Sequence, residues 1–197
     1  MNVAWYVARA GGMLAFVLVT ATVVIGLTMS SRVRLRRWPR FAVEDVHRFL
    51  GLLTWSFVGV HAFAMIADSY LSFSVGDLLI PGVAPYRPLP TALGVVALEL
   101  LAALALANLL RRRLSYTFWR RTHYLNFVVW LLVFVHGITA GTDSDTLWGL
   151  SVYTTCAGLV GGFTAWRVLS LPGTDAAARR RPEAGARPHE GRAVADT

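Results

Sequence analysis

HRFLGLLTWSFVGVH, residues 47 to 61, decides how this chain is read: it is an apolar stretch of helical length with an imidazole at either end. A second stretch repeats the device, since HYLNFVVWLLVFVH, residues 123 to 136, opens on His123 and closes on His136. Ionisable side chains inside segments long enough to span a bilayer are costly and point to function by default. Any one of the four can be explained as an interface or hydrogen-bonded core histidine. Four in a matched arrangement argue for a shared task, and two helices that each offer two neutral imidazoles can clamp two stacked haems.

Outward from these stretches, the composition sets the class. Hydrophobic residues make up 55% and charged residues 15% of the 197, and the apolar residues fall in blocks. That pattern indicates an all-α, polytopic transmembrane helix bundle and leaves no soluble core to look for. About five spans are expected, near Val3 to Met29, His47 to Leu71, Thr91 to Leu110, His123 to Ala140 and Leu147 to Leu171, with the haem ligands on the second and fourth. The first is longer than the apolar part of a signal peptide and lacks a small-x-small cleavage site, so it is expected to be retained. Residues 1–171 form the expected haem-binding transmembrane domain. From Pro172 the chain turns to Arg, Ala, Gly, Pro and acidic residues, so 172–197 is expected to be a disordered cytoplasmic tail, and His189 within it is set aside. The single cysteine, Cys156, cannot close an internal disulfide and is expected to be a small buried packing residue.

The formal charge of +8 comes from arginine alone, concentrated in Arg32 to Arg48, Arg111 to Arg121 and Arg167 to Arg192. The opposite connections carry Asp68, Asp77, Asp143 and Asp145 against the single Arg87. By the positive-inside rule the N-terminus lies outside, the two arginine-rich loops and the C-terminus lie in the cytoplasm, and the protein sits in a cell membrane, a bacterial cytoplasmic membrane being the expected one. Nucleic acid is excluded as a partner, because there is no soluble domain to carry a basic surface.

In this topology the second and fourth spans run in the same direction. Separations of 14 and 13 residues correspond to about 21 and 20 Å, so His47 and His123 share one depth and His61 and His136 another. On an ideal helix His61 falls within about 40° of the face of His47, while His136 falls roughly 140° from that of His123. The fourth span must tilt, bend or change its winding, or the two macrocycles must be rotated relative to each other.

The run from His47 through Gly51 to His61, with Trp119-Arg-Arg-Thr-His123-Tyr-Leu-Asn126-Phe leading to His136, resembles the ferric reductase-like transmembrane domain. That superfamily includes eukaryotic ferric reductases, NADPH oxidases and bacterial haem-binding membrane subunits such as MsrQ. The resemblance covers roughly residues 43–140. It implies a b-type cytochrome that carries electrons across the membrane from a cytoplasmic donor to an acceptor at or beyond the outer face. MsrQ-like members typically lack the first histidine of the second-span pair; this chain has His47 and in that respect is more similar to the two-haem ferric reductases and oxidases. Those proteins continue into a domain for FAD and a nicotinamide cofactor, whereas here no Gly-rich nucleotide fingerprint occurs. Electrons are therefore expected from a separate flavoprotein or from membrane quinol. The family domain also has six spans against the five expected here, so a missing helix or a homo-oligomeric partner is a further option.

Other residues take their candidate roles from this frame. Arg48, Arg120 and Arg121 flank the cytoplasmic ligands and could hold haem propionates, although positive-inside arginines are expected in the same places. Arg9 lies inside the first span, where an arginine needs a partner, and could meet the propionates of the outer haem. Glu99, near the middle of the third span, is assigned a hydrogen bond across helices, with proton or quinone chemistry as the other option. Trp55 and Trp130 lie between the histidines of their helices and are read as packing aromatics in preference to tunnelling relays. Gly161-Gly162 is read as a site of close helix packing. The segment Ser72 to Pro90, with four prolines and two glycines, cannot span and would form a lid or docking surface over the outer haem. Two haems b are expected, on His47/His123 and His61/His136. One haem on His61/His136 alone, feeding an extracytoplasmic reductase, remains open, as does a cofactor-free membrane scaffold or transporter.

Overall fold

The computed structural model describes residues 3–30 and 39–169, and every regular element among them is helical. The arginine run 32–37 and the tail 172–197 with His189 lie outside the described residues.

Helix α1, Val3–Ser30, has no proline and a single charge, Arg9. Its Thr20, Thr22, Thr28 and Ser30 hydroxyls donate to carbonyls three or four residues back, at 2.7 to 2.9 Å, so none needs water. Helix α2, Arg40–Ala67, starts directly after Pro39 and seven residues before the predicted span. Hydropathy missed those two turns because Arg40, Glu44 and Asp45 make them a solvated extension of the apolar part. After the five-residue α3, Val75–Leu79, helix α4 covers Pro88–Leu109 with proline at its first position, where a missing N–H costs nothing.

The fourth predicted span begins on the last residue of a separate helix, α5 (Tyr116–His123), and otherwise corresponds to α6 (Asn126–Ala140), and α7 covers Leu147–Leu169. Among the described residues four segments are long and apolar enough to cross a membrane: α1, α2, α4 and the joined stretch Tyr116–Ala140. The protein is thus a multi-pass membrane protein. The fifth predicted span, α7, has the length but not the composition, since its threonines, glycines and Tyr153 dilute it.

Helix α1 is the hub. Phe16, Val19, Val23 and Leu27 are buried together with Trp130 of α6 and with Tyr153, Cys156 and Val160 of α7. Cys156 is buried and free, and Trp130 is a core residue whose indole N–H donates to Thr20 Oγ1 at 2.9 Å. Helix α2 packs on α1, and α4 on α6, whereas α2 and α6 scarcely touch. The two halves therefore stand apart where the histidines lie. Gly161 and Gly162 do not mediate close packing: a Cβ on either would meet nothing within 4 Å. Close approach falls instead at Gly11, Gly12, Gly94 and Gly137, where a partner backbone or ring lies within 3.5 Å of that position.

Candidate functional site

The four histidines meet in two pairs across the gap between α2 and α5–α6. The ring centres of His47 and His123 are 6.2 Å apart and those of His61 and His136 are 6.5 Å apart. Among the described residues no three His, Cys, Asp or Glu side chains cluster, so each histidine pair stands without a third such side chain beside it.

At one end the rings are fixed by backbone. His61 Nδ1 donates to the Ala8 carbonyl at 2.7 Å, and His136 Nδ1 donates to the Pro90 carbonyl at 2.8 Å. A carbonyl only accepts, so the proton sits on Nδ1 and Nε2 keeps its lone pair for a metal. The carbonyls are reachable for a specific reason. A helical side chain covers the turn before its own Cα, so residue i+4 shields the carbonyl of residue i. Four residues after Ala8 stands Gly12, and four after Pro90 stands Gly94. A Cβ at Gly12 would lie 2.9 Å from His61 Nδ1, and one at Gly94 2.8 Å from the His136 ring. Each glycine is a window through which an imidazole reaches the main chain of the neighbouring helix.

The third histidine has a weaker version of the same arrangement. His47 lies beside the Thr22 backbone, and the residue four later is Gly26, with a Cβ-to-ring distance of 3.4 Å. Its buried Nδ1 nevertheless makes no hydrogen bond of good geometry. His123 has no window. It is the exposed last residue of α5, stacked on Trp119 at 5.3 Å and 25°.

Between α5 and α6 the winding tightens. The N–H groups of Tyr124, Leu125 and Phe127 donate to carbonyls three residues back, at 2.9 to 3.2 Å, and Asn126 Nδ2 caps the His123 carbonyl at 2.7 Å. Each i to i+3 step turns about 20° more than an α-helical one, so three of them recover roughly 60° of the 140° by which an ideal helix would misplace His136. The break supplies part of the turn by which a separation of thirteen residues can face one of fourteen.

Around His61 and His136 lies a cavity of about 960 Å³ with Met13, Phe16, Val58 and Val133 in its walls. Leu71, Phe73, Leu78 and Tyr86, from the connection between α2 and α4, line it too, which places that segment over the pair. Arg87, at φ 42°, holds the segment to α6 by donating to the Thr139 carbonyl at 2.6 Å.

The arginines divide by position. Arg9 lines the cavity, but it is ion-paired to the buried Asp143, a partner 134 residues away that the sequence reading missed, and it lies against Trp5 and Trp148 at 5.0 and 5.8 Å. Arg48 pairs with Glu44 at 3.3 Å and lies 4.0 Å from Asp45. Arg120 donates to Tyr124 Oη at 3.5 Å, and Arg121 is exposed. Glu99 lies on the exposed side of α4, and the cross-helix hydrogen bond expected of it is not made among the described residues. Trp55 is half-buried on α2.

The donor set fits haem. A metal–imidazole bond of about 2.0 Å on either side of one ion, with about 1.1 Å from each nitrogen to its ring centre, places ring centres about 6.2 Å apart. The observed 6.2 and 6.5 Å lie at that value and slightly above it. A facing pair with no third protein ligand suits a metal whose other positions are filled by a macrocycle.

The family model described as ferric reductase like transmembrane component matches residues 11–134. The match includes His47, His61 and His123 and stops two residues before His136. No curated protein and no solved structure matches the chain.

Proposed function

We propose, from the premise that this chain belongs to the ferric reductase-like transmembrane component family, that it is a membrane cytochrome b relaying electrons through two bis-histidine haems. The observation that carries this reading is the pair of ring separations, 6.2 and 6.5 Å, each suited to one iron between two imidazoles. His47 with His123 would hold one haem, and His61 with His136 the other. Haem b would supply a one-electron carrier at each level.

The chain's own groups do the rest. Backbone carbonyls at Ala8 and Pro90 orient the ligands and keep Nε2 available. Two imidazoles holding each haem would favour electron transfer over oxygen chemistry. Apolar walls and the segment around Phe73 keep water from the His61/His136 level. By the arginine asymmetry the His47/His123 level faces the cytoplasm, where a flavoprotein or membrane quinol donates, and the His61/His136 level faces an acceptor on the outer side of a bacterial cytoplasmic membrane. Arg120 and Arg121 are the candidates for propionates at the cytoplasmic level. Arg9 is given no such role, because its charge is already matched by Asp143.

A single haem on His61/His136, as in MsrQ-like subunits, is the second reading. The exposure of His123 and the unsatisfied Nδ1 of His47 favour it. A pyridine haemochrome measurement on purified protein distinguishes the cases: two haems per chain are expected, one selects the second reading, and none overturns both.

A further inference from the structure

Glu99 is twelfth of the 22 residues of α4, about 15 Å from either end, and it is exposed on the side away from the bundle. A carboxyl group at the centre of a bilayer without a partner is costly. The described residues offer it none: the one arginine inside α1, Arg9, is committed to Asp143. The face around Glu99 has a regular pattern. Ala92, Val96, Glu99, Ala103, Leu106 and Leu110 follow at intervals of four, three, four, three and four residues. All six are exposed except Ala92, which is half-buried, whereas the residues turned to the bundle, Thr91, Val95, Ala97 and Leu104, are buried. This is the 3.5-residue repeat of a helix–helix seam, with alanines for close approach and one polar residue in the middle.

We propose that this face of α4 is the contact with a second copy of the chain, related by a two-fold axis along the membrane normal, with the two Glu99 side chains paired across it. The chemistry selects the occupant. An isologous contact places each residue on the axis against itself, so its polar groups must be self-complementary. A carboxylic acid meets that demand, with one O–H to donate and one oxygen to accept, and two of them satisfy each other without any third group. Parallel copies also bring Glu99 to Glu99 at equal depth. The polar residue then fixes the register of an otherwise apolar seam, as a single polar seam position does in coiled coils.

The test uses the full chain reconstituted in phosphatidylcholine vesicles at increasing dilution in lipid. Ala103→Cys should form a disulfide between copies under mild oxidation, whereas Ser56→Cys, on the exposed side of α2, should not. Energy transfer between labelled chains should show that Glu99→Leu, more apolar and easily inserted, weakens dimerisation roughly tenfold, while Glu99→Gln, also self-complementary, retains it. Monomeric wild-type chains at the highest protein density overturn the proposal, and so does a Glu99→Leu variant that dimerises as tightly as wild type. Equal cross-linking through Ser56→Cys overturns it too, by showing indiscriminate collision. None of these readouts depends on haem, so their failure is separable from failure of the cytochrome reading.

Discussion

The His61/His136 pair and the His47/His123 pair stand at nearly equal ring separations, 6.5 and 6.2 Å, yet they are held by different means. In the first, both rings are hydrogen-bonded to main chain through glycine windows and border a cavity with apolar walls. In the second, one Nδ1 lacks a good partner and the other ring is exposed at a helix end, steadied by stacking on Trp119. Spacing along two helices is enough to bring four imidazoles to the right depths. Fixing their orientation takes a third and a fourth helix, and here α1 and α4 do so for one level more firmly than for the other.

The comparison can be broken most directly by deletion of ligands. His61→Ala or His136→Ala should each remove the haem of their own level, and His47→Ala should remove the other; haem content falls from two towards one per chain in every case. Transfer from a cytoplasmic donor should then drop by orders of magnitude, because about 20 Å of apolar interior separates the levels. Retention of full haem content by His47→Ala would make His47 an interface residue. A smaller effect should come from the windows. Gly94→Ala places a methyl group 2.8 Å from the His136 ring, against 3.4 Å to His47 for Gly26→Ala. Haem affinity at the first level should fall roughly 10- to 100-fold on Gly94→Ala, as for other losses of ligand orientation, and little at the second on Gly26→Ala. Titration with haemin, followed at the Soret band, reads both.

Asn126→Leu sharpens the comparison from the other side. It removes the amide donor from the His123 carbonyl and should cost about 1 kcal/mol, visible as earlier thermal loss of the His47/His123 haem with the other spectrum unchanged. The smallest effect concerns acid. Asp77 is held below its ordinary value of 3.8 by hydrogen bonds from the Ser74 backbone and hydroxyl. A carboxyl group whose folded-state value is depressed adds stability above its unfolded value and loses that stability as pH falls through the folded one. Hydrogen exchange in α3 should therefore quicken only below the ordinary carboxylate range, and Asp77→Asn should abolish that dependence.

The apolar blocks and the histidine spacings made the bundle and the two levels of paired histidines legible in the sequence, because bilayer thickness and helical rise leave few other arrangements. The break after His123 was legible only as a contradiction: thirteen residues demanded a tilt, a bend, a change of winding or rotated macrocycles, and no proline or glycine marked where the change of winding falls. Gly12 and Gly94 were passed over because the groups they expose are backbone carbonyls, which have no signature of their own. Gly161-Gly162 lies in an apolar helix and reads as a close-packing site, yet a Cβ on either glycine meets nothing within 4 Å. The partnership of Arg9 with Asp143 joins residues 134 apart, and only the need for a counter-charge was readable at one end.

Helix α1 carries no ligand, yet it works as a ruler. Gly12 and Gly26 are 14 residues apart, the same interval as His47 and His61 on the antiparallel helix beside it. Inserting one residue between the two glycines would turn one window about 100° away from its ring and shift it by about 1.5 Å, leaving every histidine in place in the sequence. A length change in this ligand-free helix is therefore as consequential as one between the histidines, and it would escape any inspection confined to the histidines themselves.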